Sequence, residues 1–143
     1  MKKIIVAVLV LVMLAASYYG AKVYIGDKAY ELFESGMEKL ENQDYKSAIW
    51  DFDRSLALAE KGGWMFDDEL VKKHLSHVFA QRGWCYMQLN QYETALEDYN
   101  RAEEFGFDRP ELFSNRGWTK NHLEQYDDAM TDLNRAIEID PNN

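Results

Sequence analysis

Hydrophobic positions follow two different patterns along this chain. From Ile4 to Ala16 the apolar run is unbroken, and apolar character continues to Ile25 with Tyr18, Tyr19 and Tyr24 among it. Such a pattern predicts a helix that is apolar on every side. Its 22 residues would extend ~33 Å against ~30 Å of bilayer hydrocarbon. After residue 28, apolar and small residues instead recur at spacings of three and four, with no stretch of strict alternation. That is the period of helices packed along one stripe rather than of strands.

The second pattern also repeats. Gly36, Gly83 and Gly117 are each followed nine residues later by Tyr45, Tyr92 and Tyr126, and three further on by Ala48, Ala95 and Ala129. Asp51, Asp98 and Asp132 come next, then Phe52, Tyr99 and Leu133, then Arg54, Arg101 and Arg135, and last Ser55, Ala102 and Ala136. Columns held in register at spacings of 47 and 34 residues signify stacked supersecondary units. Each unit reads as a helical hairpin, over about 29–62, 76–109 and 110–143.

A mid-helix glycine costs ~1 kcal/mol against alanine, so its return in every unit points to close packing of two helices. The expected partners are Ala95 and Ala102 for Gly83, and Ala129 and Ala136 for Gly117. Residues 63–75 form an insertion between the first two units. Gly62 and Gly63 should stop one helix and Asp67 should cap the next, with Phe66 and Val71 at the spacing of a hydrophobic staple. The first helix of the second unit would then reach about Leu89 and project some two turns beyond its neighbours. Trp64 would sit at one edge of the stack, either covering core or forming a lip for a ligand.

With the 34-residue spacing, the glycine, tyrosine and alanine columns and the terminal "AIEIDPNN" in place, the chain resembles the tetratricopeptide-repeat family. The first unit departs from the pattern, with Ser35 where the others have Arg82 and Arg116, and Ser55 at the last small column. The resemblance implies an all-α, right-handed solenoid of three hairpins, here preceded by a transmembrane or signal helix. It also implies a concave groove lined by the first helix of each hairpin, and protein binding without catalysis. Trp84 and Trp118 each follow their glycine by one residue, ~100° around the helix from the face that packs on the partner helix. By the resemblance their stripe is the groove: Tyr30, Phe33 and Met37, with Leu40, in the first unit; His77, Trp84 and Met87, with Ala80 and Gln88, in the second; and Glu111, Trp118, Asn121 and His122, with Ser114, in the third. The competing expectation is that both tryptophans pack against neighbouring first helices. Some members of the family hold a partner's C-terminal carboxylate with lysine, arginine and asparagine on this face. Phe33, Met37 and Glu111 stand there instead, so the resemblance implies no such clamp and makes a carboxylate-terminated chaperone tail a poor ligand.

Charge sharpens the picture. Lys2, Lys3, Lys22 and Lys28 against Asp27 give residues 1–28 a charge of +3, which leaves −12 for the remainder of the total of −9. An acidic domain excludes the basic footprint of a nucleic-acid binder and favours basic or amphipathic protein partners. Residues 1–28 are expected to be a membrane anchor or signal segment and 29–143 the repeat domain. Lys2 and Lys3 favour a cytoplasmic N-terminus, placing the repeats outside, in the periplasm or on the cell surface. The alternative is secretion after cleavage behind Ala15 and Ser17. No cysteine follows the apolar run, which excludes a lipoprotein anchor.

Cys85 is the single cysteine, so no intrachain disulfide and no thiolate zinc site can form, and burial is its expected state. His74, Ser76 and His77 cannot complete a triad or a metal sphere and are expected on solvated helix surface. Asp67, Asp68 and Glu69 fit a helix start better than a calcium loop. Arg82 and Arg116 are expected to pair with the repeated aspartates. Neither an enzyme nor a cofactor is expected. The chain ends at "IEIDPNN" without a covering helix, so a self-assembling structural subunit is the rival expectation.

Overall fold

A computed structural model describes residues 2–61 and 69–141. Among them are six helices and no strand: α1 (Lys2–Glu41), α2 (Tyr45–Lys61), α3 (Glu69–Gln88), α4 (Tyr92–Glu104), α5 (Pro110–His122) and α6 (Tyr126–Ile139). They pair in sequence as three antiparallel hairpins, stacked so that each second helix also packs on the first helix of the next hairpin.

The glycine column explains how closely each pair packs. A Cβ added at Gly36 would lie 2.5 Å from the Phe52 ring, one at Gly83 3.1 Å from the Tyr99 ring, and one at Gly117 2.9 Å from Leu133 Cγ. The partners are therefore chiefly the large residues between the two small columns, not the alanines expected. Only the Ala129 carbonyl oxygen, 3.1 Å from a Gly117 Cβ, comes from the small column. Ala48, Ala95 and Ala102 are fully buried, so the small columns still let the helices approach.

Each hairpin closes through a tight turn whose residue lies in the left-handed region: Gln43 (φ 60°), Asn90 (φ 58°) and Glu124 (φ 59°). Asparagine tolerates this conformation; glutamine and glutamate have no local compensation for it. Asp44 caps α2 by accepting the Ser47 amide at 3.2 Å, whereas Gln91 and Gln125 precede α4 and α6 without a side-chain cap.

The arginine column ties the stack as expected. Arg82 makes a two-pronged bond to Asp98 at 2.8 and 2.6 Å and reaches back to Asp53 of the first hairpin at 2.6 Å. Arg116 grips Asp132 at 2.8 Å on both prongs and reaches back to Glu103 at 2.6 Å and Asn100 at 3.1 Å. In the first hairpin Ser35 donates to Asp51 at 2.6 Å, and Lys39 supplies the charge. Burial raises the Asp98 carboxyl above its usual range despite Arg82. At Asp132 burial acts the same way, but Arg116 and Lys120, the latter 2.8 Å away, together lower it.

The anchor boundary at residue 28 falls inside a single helix, because α1 runs without a break from the apolar segment into the first hairpin. Trp64, Phe66 and Asp67 lie outside the described residues. The described part of α3 starts at Glu69 and has 20 residues against 13 in α5, so the second hairpin does carry the expected extension. Among the described residues α1 alone is long and apolar enough to cross a bilayer, and none of its most apolar 18-residue window is buried.

Candidate functional site

The stripe of first-helix residues divides into a filled part and an open part. At the α1 end, Phe33 and Met37 are half-buried against the core. His74, one of the residues added by the insertion, lies against Phe33 with ring centroids 5.6 Å apart and against the exposed Tyr30 at 6.3 Å. Ser55 Oγ gives its only proton to the Ala29 carbonyl at 2.7 Å, so His74 Nε2, 3.0 Å away, must be the donor between them. This bond requires a proton on Nε2, and burial, with His77 nearby, lowers the His74 pKa and so favours the neutral ring. Ser76 is buried as well. The expectation of solvated surface for His74 and Ser76 is thus overturned: the first hairpin covers His74, and Ser76 is buried. His77 donates from Nδ1 to the Lys73 carbonyl at 2.7 Å and packs edge-on against Phe107 at 5.0 Å.

The open part lies between α3 and α5. Trp84 leans on Tyr45 of the first hairpin (5.5 Å, edge to face) and is half-buried. Trp118 leans in the same way on Tyr92 (5.8 Å) and touches His122 (3.9 Å), yet remains 45% exposed. The two tryptophans, with Met87 and Leu133, form the apolar wall of a groove of about 810 Å³. Its polar wall consists of Gln88, Asn90, Ser114, Asn115 and Asn121. No charged side chain lines it, although 29% of the chain is charged.

Of the expected groove residues, the structure brings Trp84, Met87, Trp118 and Asn121 into one site. Tyr30, Phe33, Met37 and His77 are outside it, held by the contacts above. Glu111 is exposed in the first turn of α5, and His122 supports Trp118 from behind, stacked on Tyr92 at 4.7 Å. Sequence reasoning missed Asn90, Asn115 and Leu133. Asn90 was legible only as a helix-to-helix turn, and Leu133 only as the residue above Gly117. Cys85 is fully buried, and burial pushes its thiol up to about 12, as expected of a packing residue.

The comparisons with known proteins agree with this architecture. The tetratricopeptide-repeat family model matches residues 78–105 and 110–143. Curated protein sequences give no match. Among solved structures, the C-terminal repeat domain of a Plasmodium falciparum protein named as FK506-binding superposes with a TM-score of 0.78 at 17% identity, over 85% of this chain and 83% of that one. The Arabidopsis OM64 domain gives 0.69 at 16% identity, over 83% and 88%. The second repeat domain of human RPAP3, in complex with the HSP70 peptide SGPTIEEVD, gives 0.67 at 20%, over 83% and 88%. Residues 78–105 and 110–143 are therefore tetratricopeptide repeats, and the chain as a whole has the tetratricopeptide-repeat fold.

Proposed function

We propose that this chain is a membrane-anchored scaffold that captures a protein partner in the groove between α3 and α5, on the extracytoplasmic side, within an envelope assembly. The observation that carries the reading is Trp118: a large aromatic left 45% exposed in a concave site, braced from behind by Tyr92 and His122. Rigid, partly exposed aromatics in pockets are the side chains that dominate binding energy at interfaces. The unbroken α1 supports the anchored part of the reading, since an apolar segment that continues into the first hairpin would hold the groove at a fixed distance from the bilayer. Binding is the whole of the proposed chemistry.

The second reading is self-assembly. It is favoured by the outer face of α6, where Tyr126, Met130 and Ile137 are all more than half exposed. Ile137 is 54% exposed, while Leu56, in the same column of the first hairpin, is 6% exposed because α3 covers it.

One experiment separates the two. A photo-reactive residue at position 118 of the full chain, activated in native cells, should give an adduct with a different protein. Adducts with itself alone would move the protein to the self-assembly reading. A membrane-impermeant thiol reagent on a cysteine placed at Asp108 tests the sidedness: labelling in intact cells is expected, and labelling only after lysis would overturn the extracytoplasmic placement.

A further inference from the structure

We infer that the groove reads the backbone of an uncharged, extended segment internal to its partner, with one apolar side chain seated between Trp84, Met87 and Trp118. This inference rests on the groove being the partner site. Four of the five residues of the polar wall carry carboxamides, and the fifth is a serine.

A carboxamide offers a donor and an acceptor on one planar group, as a peptide bond does. Lysine, arginine and carboxylates each offer only one of the two, and none of them lines the groove. Among the described residues, no hydrogen bond or ion pair engages the carboxamides of Gln88, Asn115 and Asn121. Among the described residues Asn90 is engaged through Oδ1 alone, which accepts from the Tyr92 hydroxyl at 2.7 Å, so its amide hydrogens stay available to an acceptor. Polar groups of this kind along an apolar floor match a chain that presents alternating N–H and C=O groups and an apolar side chain between them, the pattern of an extended peptide.

A ligand bearing a terminal carboxylate would find no cation here, and a lysine-rich ligand would find no carboxylate. The acidic surface of the domain as a whole biases which proteins approach it, whereas the lining selects the segment that is held. This sets the chain apart from the neighbour whose peptide, SGPTIEEVD, is acidic.

The test uses the full chain in lipid nanodiscs and three immobilised libraries of heptapeptides: acetylated and amidated neutral peptides, peptides with acidic residues and a free C-terminus, and peptides rich in lysine and arginine. Selection of capped neutral peptides with a central Leu, Met or Phe is expected. Their affinity should fall about tenfold or more with Trp118→Ala and about fivefold with Asn121→Ala or Asn115→Ala, at unchanged melting temperature. N-methylation of the peptide bonds flanking the apolar residue should abolish binding. Selection of acidic or basic peptides that still depend on Trp118 would overturn the inference and leave the groove as the partner site, and so would indifference to N-methylation. Binding by none of the libraries in a Trp118-dependent way would overturn the groove reading itself.

Discussion

Met37, Trp84 and Trp118 occupy one column of the repeat, and their surroundings differ. In the first hairpin Met37 is packed against the core, and Phe33 one turn before it is held by His74. In the third, Trp118 stands exposed, and Ser114 is the residue one turn before it. The backbone geometry is the same at both ends, since both columns ride beside a glycine that packs on the second helix. What differs is the neighbour. The insertion lengthens α3 and brings His74 onto the first hairpin's stripe, while on α5 Trp118, touched by Tyr92 and His122, stays 45% exposed. A column therefore specifies where a side chain points, and the adjacent element decides whether it becomes core or binding surface.

The largest way to break this comparison is through the arginine column. Arg116→Met should cost about 3 kcal/mol in chemical denaturation, because it leaves Asp132 buried with Lys120 alone. The equivalent change in the first hairpin, Ser35→Ala, should cost about 1 kcal/mol, since Lys39 keeps the charge of Asp51 compensated. Next comes the stripe itself. Phe33→Ala should lower stability by about 2 kcal/mol, a discounted core value for a half-buried ring. Trp118→Ala should leave stability within about 0.5 kcal/mol while removing about 2 kcal/mol of partner affinity. Equal melting losses from the two changes would erase the distinction between filled and open ends.

A smaller effect concerns the helix starts. Giving α6 the cap that Asp44 gives α2, by Gln125→Asp, should raise stability by about 1 kcal/mol in the same assay.

The His74 contact predicts a pH dependence. Its folded pKa lies below the ordinary value of 6.5, so the unfolded chain takes up the proton first as pH falls. This contribution is complete above about pH 6.5 and declines as the pH drops toward the lowered folded value. His74→Gln should flatten the change in melting temperature between pH 7.5 and pH 5.5. The ring faces Tyr30, Phe33 and Ser55 across the junction and has His77 one turn along its own helix, so no carboxylate reverses the sign.

The hairpins were legible because glycine, alanine and aspartate recur at fixed spacing, and the pairing of Arg82 and Arg116 followed from the same register. Their glycine contacts were legible in kind but not in partner: a small column shows where helices approach, while the bulk above the glycine comes from Phe52, Tyr99 and Leu133. The groove was legible at Trp84, Met87, Trp118 and Asn121, where side-chain direction follows from helix geometry. It was illegible at Asn90 and Asn115, because a turn residue and a residue beside an arginine join a site only through the packing of α3 against α5. The filling of the first hairpin's stripe depends on where the insertion carries His74, and its spacing matches no other unit.

The most direct test of the open and filled ends is hydroxyl-radical footprinting of the full chain in nanodiscs, read by mass spectrometry at individual tryptophans. The account predicts that Trp118 oxidises at a rate close to that of Trp50, which is 58% exposed, that Trp84 is markedly slower, and that a bound partner segment slows Trp118 alone. A Trp118 as slow as Trp84 without any ligand would contradict it, and would return that side chain to the core.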